Sequence, residues 1–199
     1  MLYLYYTTDN SPKTLHAIGR QLLFDAVRKE TGLAAYEEDI SFGAYGKPFF
    51  EHIPLCFSIS HCHGLVCLLT DAYNCGIDAE HVRDVGEDVI ERVMHEEEKP
   101  FLPRITGDEK EKLRLWTLKE CASKAEGSGL TVMHEMHFLY KEGLFAPSGG
   151  MRYYTGYTDR GHMLSLCLDR RSPQTTVSFE GAVLYPLGEA RLQDKKDPG

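Results

Sequence analysis

The spacing of apolar residues near the amino terminus predicts a strand followed by a helix. Leu2–Tyr6 has the composition of a strand, and the apolar residues of segment 15–30 recur at helical intervals. Those residues are Leu15, Ile18, Leu22, Leu23, Ala26 and Val27. Gly32 follows the last of them, and glycine readily takes the left-handed conformation that ends a helix.

Short apolar runs predict strands in the next part of the chain. Runs at 55–60 and 65–70 flank the polar stretch 61–64, which predicts a β-hairpin, and segment 74–80 predicts another strand. Residues 45–48 contain a glycine and a proline and predict a loop. A first half of the molecule would therefore close near residue 72.

The remaining sequence repeats this order of helix and strands. Segment 85–95 predicts a helix, prolines and a glycine between 100 and 107 predict a break, and 108–126 predicts a long helix ended by Gly127 and Gly129. Further strands are predicted at 136–140, 152–157, 162–168 and 176–178.

We therefore predict an α+β fold of two pseudo-equivalent halves, 1–72 and 73–190. In each half a helix packs on an antiparallel sheet, and the active site lies in the cleft between the halves. The polar tail 191–199 is predicted to be flexible. Because one chain supplies both sides of the cleft, we expect a monomer.

Composition narrows the class of protein. The chain has 199 residues, of which 42% are hydrophobic and 26% charged, and no apolar run approaches the roughly 20 residues that cross a bilayer. We expect no membrane partner and, since no secretion leader is recognisable, a cytoplasmic location. The net charge of −8 argues against a nucleic-acid partner, which requires clustered basic residues.

The six cysteines predict reduced thiols in the core, because they form no Cys-x-x-Cys pair and mostly fall in apolar runs. A zinc site from Cys56, His61, Cys62 and His63 is the alternative. It is disfavoured because neighbouring residues of a strand point to opposite faces.

Four residues carry the candidate chemistry. Asp78 and Glu80 are two apart on a predicted strand and share a face, while Glu120 and Lys124 lie one helical turn apart. Three converging carboxylates repel one another unless they are protonated, paired with cations or bound to a hard divalent ion. Of these three ways to relieve the repulsion, we predict a bound divalent ion, and specifically magnesium.

Three blocks in residues 15–135 resemble, in order and spacing, those of the 4′-phosphopantetheinyl transferases of the longer, surfactin-synthetase-activating (Sfp) type. The first is Tyr45-Gly46-Lys47-Pro48 with Phe57-Ser58-Ile59-Ser60-His61, and the second is Gly76-Ile77-Asp78-Ala79-Glu80. The third is Trp116-Thr117-Leu118-Lys119-Glu120 with Lys124 and Gly127-Ser128-Gly129-Leu130.

The resemblance implies a magnesium-dependent enzyme that moves the 4′-phosphopantetheine arm of coenzyme A to a serine of an apo acyl or peptidyl carrier protein. Adenosine 3′,5′-bisphosphate is the implied by-product. Asp78, Glu80 and Glu120 are the implied metal ligands, and Glu120 would take the serine proton directly or through a metal-bound water. Lys124 would contact the phosphates and protonate the leaving group.

The resemblance also implies contacts to coenzyme A. Ser60 and His61 match residues that contact the pyrophosphate, and Lys47 and Pro48 belong to a loop that lies against the adenine. Arg20 resembles an arginine that meets the 3′-phosphate, for which a forked guanidinium is well suited.

A basic and apolar segment before the long helix is a candidate docking surface for an acidic carrier protein. Its basic members are Lys99, Arg104, Lys110, Lys112 and Arg114, and its apolar members are Val93, Met94, Phe101 and Leu102. The alternative is a solvated helix start whose charges residues 96–98 cancel.

Three other functions stay open at this point. These are a non-catalytic module that binds coenzyme A or a carrier, a metal-dependent nucleotide pyrophosphohydrolase, and a short transferase that assembles as a trimer. The length of the chain disfavours the third. Carriers of fatty-acid, polyketide, nonribosomal-peptide and lysine synthesis present a similar serine, and the sequence does not distinguish among them.

Overall fold

The computed structural model describes residues 1–83, 85–140, 143–147, 149–174, 178–179 and 181–188. In these residues the chain forms an α+β fold with two main antiparallel sheets, each contacted by one long helix. None of the described helices is both long enough and apolar enough to span a bilayer. The predicted tail 191–199 and most of the predicted strand 176–178 lie outside the described residues.

The elements, in chain order, are β1 (Leu2–Tyr6), α1 (Pro12–Thr31), β2 (Ile40–Phe42), β3 (Pro48–Phe50), β4 (Cys56–Cys62), β5 (Leu65–Asp71), β6 (Cys75–Glu80), α2 (Glu87–Val93), α3 (Leu102–Thr106), α4 (Glu109–Glu126), β7 (Leu139–Tyr140), β8 (Gly143–Leu144), β9 (Met151–Thr158), β10 (Met163–Asp169), β11 (Ser178–Phe179) and β12 (Ala182–Pro186). Short 3-10 helices occupy Glu37–Asp39, Glu96–Phe101 and Gly129–Glu135. The pairs β2–β3 and β7–β8 form small separate sheets.

The first main sheet has the order β1–β5–β4, and α1 packs on it. The helix starts after Ser11, whose hydroxyl accepts the N–H of Thr14, and Pro12 occupies its first turn, where no N–H is needed. It ends at Gly32, which adopts a φ of 75° and donates its N–H to the Arg28 carbonyl. The predicted amphipathic helix is therefore confirmed.

The second main sheet has the order β11–β12–β9–β10–β6, and α4 packs across β6 and β10. Asp108 caps the start of α4 by accepting the N–H groups of Lys110 and Glu111. Gly127, with a φ of 70°, ends it. The predicted long helix and its end are confirmed.

A fully buried ion pair anchors α4 on its far side. The Lys119 ammonium donates to Glu98 at 2.6 Å and to the carbonyl of Met136 at 2.7 Å. Glu98 also accepts the backbone N–H groups of Phe138 and Leu139. Because every partner is satisfied, this network fixes how α4 is rotated about its axis.

The two main sheets meet where β4 lies beside β6, and serine side chains join them there. The Ser58 hydroxyl accepts the N–H of Ile77 at 3.1 Å, and the Ser60 hydroxyl accepts the N–H of Ala79 at 3.3 Å. The chain passes from the first sheet to the second between β5 and β6, close to the predicted boundary at residue 72. The functional division into 1–72 and 73–190 stays a prediction.

Several predicted boundaries were wrong. His61 and Cys62 belong to β4, so the hairpin turn is only residues 63–64. The predicted break between 100 and 107 contains the end of a 3-10 helix and the whole of α3. The strand predicted at 136–140 is limited to the two residues of β7. The strands β2, β3, β8 and β12 were missed, because most are too short to give a periodic signal.

The cysteines are all free thiols. Four of them, Cys67, Cys75, Cys121 and Cys167, are buried as predicted. Cys56 is exposed instead, because it begins β4 at the mouth of a cavity.

Candidate active site

The candidate site forms where α4 runs antiparallel to β6. A Cβ atom on Gly76 would lie 2.0 Å from the carbonyl oxygen of Cys121 and 2.8 Å from the nitrogen of Ala125. The helix backbone therefore touches the strand at this glycine, which no larger residue can replace without displacing the helix. Farther along β6, Asp78 and Glu80 point to the same side as Gly76.

Three side chains of α4 lie over these acids. Trp116, Glu120 and Lys124 are spaced four residues apart and share one face of the helix. The Lys124 ammonium donates to Asp78 Oδ1 at 2.6 Å, and the Trp116 indole donates to Glu80 Oε1 at 3.3 Å. Glu120 is one helical turn from each of these two α4 residues, and the charges of Asp78 and Glu80 act on it, but the convergence of the three acids on one ion stays a prediction.

Ser60 connects the lysine and the aspartate. Its hydroxyl donates to Asp78 Oδ1 at 2.8 Å and accepts from the Lys124 ammonium at 2.9 Å. Asp78 Oδ2, in contrast, is buried with no hydrogen-bond partner. One carboxylate oxygen is therefore held by two donors, while the other lacks the partner that a buried oxygen requires.

The surroundings of the site change the pKa values of Glu120 and Lys124 in different ways. Burial, with the nearby charges of Asp78 and Glu80, raises the pKa of Glu120 to about 7, although Lys124 acts to lower it. Burial by itself would lower the pKa of Lys124, but the adjacent Asp78 and Glu120 raise it. At neutral pH the lysine is thus charged, and Glu120 is partly protonated.

The donor set suits a magnesium ion. Mg²⁺ takes oxygen ligands, commonly one or two carboxylates together with substrate phosphates. Asp78 Oδ2 is an unpartnered buried oxygen, and burial, with the charges of Asp78 and Glu80, raises the pKa of Glu120. The ligand oxygens of Asp78, Glu80 and Glu120 do not all lie within 4.8 Å of one another, so their joint role as ligands stays a prediction.

Two neighbouring cavities open beside the acids. One of about 290 Å³ is lined by Glu120 and Lys124 on α4 and by residues 45–48 and 57–59. The other, of about 510 Å³, shares Lys47 and Phe57 with the first and has an aromatic lining from Phe49, Phe50 and Phe57. Pro48 lines both, so the predicted loop lies between the cavities.

The ammonium of Lys47 is engaged by the protein itself. It donates to Asn74 Oδ1 at 2.8 Å and to the carbonyl of Ala125 at 2.6 Å, near the end of α4. Burial lowers the pKa of this lysine. Only its aliphatic stem and the loop around it are therefore presented to a ligand, and its predicted contact with coenzyme A stays a prediction.

Ser60 and His61 do not lie together. Ser60 faces β6, and because side chains alternate along β4, His61 faces the other way and is exposed. Arg20 does not line either cavity. It lies 3.4 Å from a Glu37 oxygen, without the geometry of a hydrogen bond.

The predicted docking surface was partly wrong. Lys112, Val93 and Met94 are buried and contribute to the packing around α4. Lys99 and Arg114 pair with Glu96 and Glu111. Helical spacing alone does not reveal which face of a short helix the rest of the protein covers.

A group of potential metal ligands that the sequence did not indicate lies outside both cavities. His95, Glu97 and His137 each place one ligand atom within 4.8 Å of the others. However, the two rings stack with planes 9° apart, and imidazole lone pairs lie in the ring planes, so they do not converge. His95 also uses Nδ1 to accept the N–H of Glu97, so we assign the group a structural role.

Comparisons with known proteins agree with this architecture. A family model described as the 4′-phosphopantetheinyl transferase superfamily matches residues 74–168, which contain β6, α4 and β10. The 4′-phosphopantetheinyl transferase Sfp of Bacillus subtilis is 28% identical over 189 residues, covering 88% of this chain and 84% of that protein.

Two further relatives match over shorter stretches. The 4′-phosphopantetheinyl transferase HetI of Nostoc sp. is 28% identical over 127 residues, 59% of this chain and 54% of that protein. The 4′-phosphopantetheinyl transferase gsp of Aneurinibacillus migulanus is 31% identical over 90 residues, 44% of this chain and 38% of that protein.

The fold and these matches define the class of protein, which is a transferase. More particularly, the chain is similar to the 4′-phosphopantetheinyl transferases, the family that the three sequence blocks resemble.

Proposed function

We propose that this enzyme transfers the 4′-phosphopantetheine group of coenzyme A to a serine hydroxyl of an apo acyl or peptidyl carrier protein, with Mg²⁺. The names of the relatives support the type of transfer. The observation that carries the proposal is that Glu120 and Lys124 share the wall of one cavity. Asp78 of β6 is bound to Lys124, and Glu80 of β6 is bound to Trp116, one helical turn before Glu120.

The reaction forms one phosphorus–oxygen bond and breaks another. The serine oxygen attacks the phosphorus that bears pantetheine, and the bond to the bridging oxygen of the diphosphate breaks. Adenosine 3′,5′-bisphosphate leaves with that electron pair. The serine proton passes to Glu120, and Lys124 donates to the leaving oxygen, so protons and charge balance.

Each side chain has a role that its surroundings support. Glu120 lines the cavity and makes no hydrogen bond or ion pair within the described residues, so its carboxylate is available to take the serine proton directly or through a metal-bound water. Bound Mg²⁺ would neutralise diphosphate charge. Asp78 holds Lys124 in place, and its second oxygen, with Glu80 and Glu120, would hold the cation.

Coenzyme A would occupy the two cavities that share Lys47. The wider, aromatic cavity suits an adenine ring, and the narrower one brings the diphosphate to Lys124. Pro48 would line the adenine and Ser60 would contact the diphosphate, while Arg20 and His61, which line neither cavity, would contact phosphate oxygens where coenzyme A extends beyond the cavities. Residues 1–72 would thus hold coenzyme A, and residues 73–190 would provide the metal site and dock the carrier.

The same proposal includes a monomer in the cytoplasm. Both walls of the cavity beside Glu120 come from one chain, so no second copy is needed to complete it. The six free thiols fit a reducing compartment.

The test is the intact mass of several apo carrier proteins after incubation with the enzyme, coenzyme A and Mg²⁺. We expect each accepted carrier to gain one phosphopantetheine. Glu120→Gln and Lys124→Ala should each lower the rate at least about a hundredfold, because each removes a proton-transfer or charge-stabilising group.

The control is Glu109→Gln, which makes the same charge change at an exposed position on α4 and should leave the rate unchanged. Free phosphopantetheine instead of modified carrier would indicate a pyrophosphohydrolase. Binding of coenzyme A without either product would indicate a non-catalytic module, and both results contradict the proposal.

A further inference from the structure

Glu80 has two partners on the same carboxylate oxygen, a hydrogen-bond donor and an ion-pair partner. The Trp116 indole N–H donates to Oε1 at 3.3 Å, and the Arg83 guanidinium lies 3.5 Å from that atom. No hydrogen bond to Oε2 is made by the part of the chain that the structure describes. Glu80 therefore has one occupied oxygen and one that remains available.

Asp78, two residues earlier, has the same arrangement. Lys124 and Ser60 occupy its Oδ1, whereas Oδ2 has no partner. In both acids the donors on one oxygen limit rotation of the carboxylate, which sets the direction of the other oxygen. Such outer partners orient metal ligands in many metalloproteins.

We propose that Trp116 is a positioning residue, whose indole N–H orients Glu80 so that its second oxygen faces a divalent cation. This inference rests on the proposed function, because it takes the acids of β6 and α4 as the cation site. Trp116 touches neither substrate nor cation and acts only through Glu80.

An indole suits this role better than a cationic side chain. A lysine or arginine at this position would cancel the charge of Glu80 and weaken its attraction for the cation. The indole donates one N–H, is neutral and accepts no proton. Its ring packs against the core around α4, which holds the donor in a fixed position, whereas the Arg83 side chain is 55% exposed.

The sequence supplies an internal probe for a direct test, since Trp116 is the only tryptophan. A cation that binds Glu80 changes the charge next to the indole and so changes its emission. We expect the fluorescence of the coenzyme A-saturated enzyme, without carrier, to change on titration with Mg²⁺ and to saturate. NaCl at matched ionic strength should give no such change, and a flat Mg²⁺ titration would overturn the inference.

Trp116→Phe tests the hydrogen bond, because it retains an aromatic ring and removes the N–H. We expect the Mg²⁺ concentration for half-maximal activity to rise by roughly tenfold, with the maximal rate recovered at saturating Mg²⁺. The KM for coenzyme A should change less than about twofold, since the indole does not contact that substrate.

The matched control is Arg83→Gln, which removes the other donor to the same oxygen. We expect its half-maximal Mg²⁺ concentration to rise less than about threefold, because an exposed ion pair is weak. An equal rise in the half-maximal Mg²⁺ concentration of both variants would mean that any partner of Glu80 has the same effect and that the indole has no special role. A lower maximal rate of Trp116→Phe at every Mg²⁺ concentration, with a lower Tm in EDTA, would assign Trp116 a merely structural role; either result overturns the inference.

The two proposals fail in different ways. If the wild type modifies carriers and Trp116→Phe has the wild-type Mg²⁺ dependence, the positioning role is wrong and the function stands. If no carrier is modified, the function is wrong, and the fluorescence titration still decides whether a cation binds beside Trp116.

Discussion

At the scale of single residues, the site depends on the imbalance of charge around Glu120. Asp78 is bound to Lys124, and Glu80 accepts the indole N–H of Trp116, but Glu120 lies between them with no hydrogen-bond donor among the described residues. Burial and the two neighbouring acids disfavour its ionised form. The proposed base is therefore kept in a position that costs folding stability.

Replacing Glu120 by glutamine should stabilise the metal-free protein at high pH. The pKa of Glu120 rises from 4.5 on folding to about 7, so the folded state holds this proton more tightly than the unfolded state. Wild-type stability therefore falls between about pH 4.5 and 7, and Glu120→Gln should avoid this loss. A shift of this size corresponds to about 3 kcal/mol, which solvent screening of the partly exposed side chain reduces to the order of 1–2 kcal/mol by pH 8.

Urea unfolding in EDTA at pH 4 and pH 8 measures this difference. The advantage of Glu120→Gln should be present at pH 8 and small at pH 4, where both proteins are neutral at residue 120. Glu109→Gln should show no such pH-dependent gain. A Glu120→Gln variant less stable than wild type at pH 8 would contradict the argument.

At the scale of elements, the site is produced by the close contact of α4 with β6. Gly76 lets the helix backbone touch the strand, and the buried pair of Lys119 and Glu98 holds the opposite side of the helix. The stripe of Trp116, Glu120 and Lys124 is thereby aligned with the acids of β6. Moving the helix by about an ångström would misalign the proposed catalytic groups, which require close positioning.

Gly76→Ala should destabilise the protein by about 3 kcal/mol or more, because the new Cβ would lie 2.0 Å from the Cys121 carbonyl oxygen. Activity should also fall, since displacement of α4 separates Lys124 from Asp78. The unfolding free energy and the carrier modification rate, measured under conditions where the variant is folded, test both effects.

Gly107→Ala is the matched control. Nothing lies within 4 Å of a Cβ at this position, and its φ of −80° suits alanine, so its stability should change by less than about 1 kcal/mol. Similar stabilities of the two variants would mean that α4 does not need the close approach at Gly76.

At the scale of the whole molecule, the two main sheets are joined by side chains where β4 meets β6. Ser58 and Ser60 accept buried backbone N–H groups that would otherwise lack partners. This junction also lies beside the cavity, because Ser58 lines it and Ser60 binds Asp78 and Lys124. The junction of the sheets and the site are therefore built from the same residues.

Ser58→Ala tests the junction without removing a side chain that has a proposed catalytic role. The N–H of Ile77 would lose its partner, which should cost about 1–3 kcal/mol. Hydrogen exchange at Ile77 should accelerate. Ser41→Ala, which removes an exposed hydroxyl that binds Glu51, should change stability by less than about 0.5 kcal/mol. Unchanged exchange at Ile77 in Ser58→Ala would show that the serine does not support the sheet junction.

Local signals made much of the fold predictable. The limits of α1 and α4 follow from capping residues such as Asp108, Gly32 and Gly127, which act on the nearest turn of the chain. The hairpin of β4 and β5 follows from two apolar runs around Gly64. The short strands β2, β3 and β8 were not predictable, because two or three residues show no period.

The sequence by itself determined which residues share a face: Asp78 with Glu80 by strand alternation, and Glu120 with Lys124 by the helical turn. Both are properties of a single element. Only the tertiary structure decided that Lys124 binds Asp78 and that Lys47 binds the end of α4. Those contacts depend on how α4, β4 and β6 are aligned, and this alignment is set by packing between residues far apart in the chain.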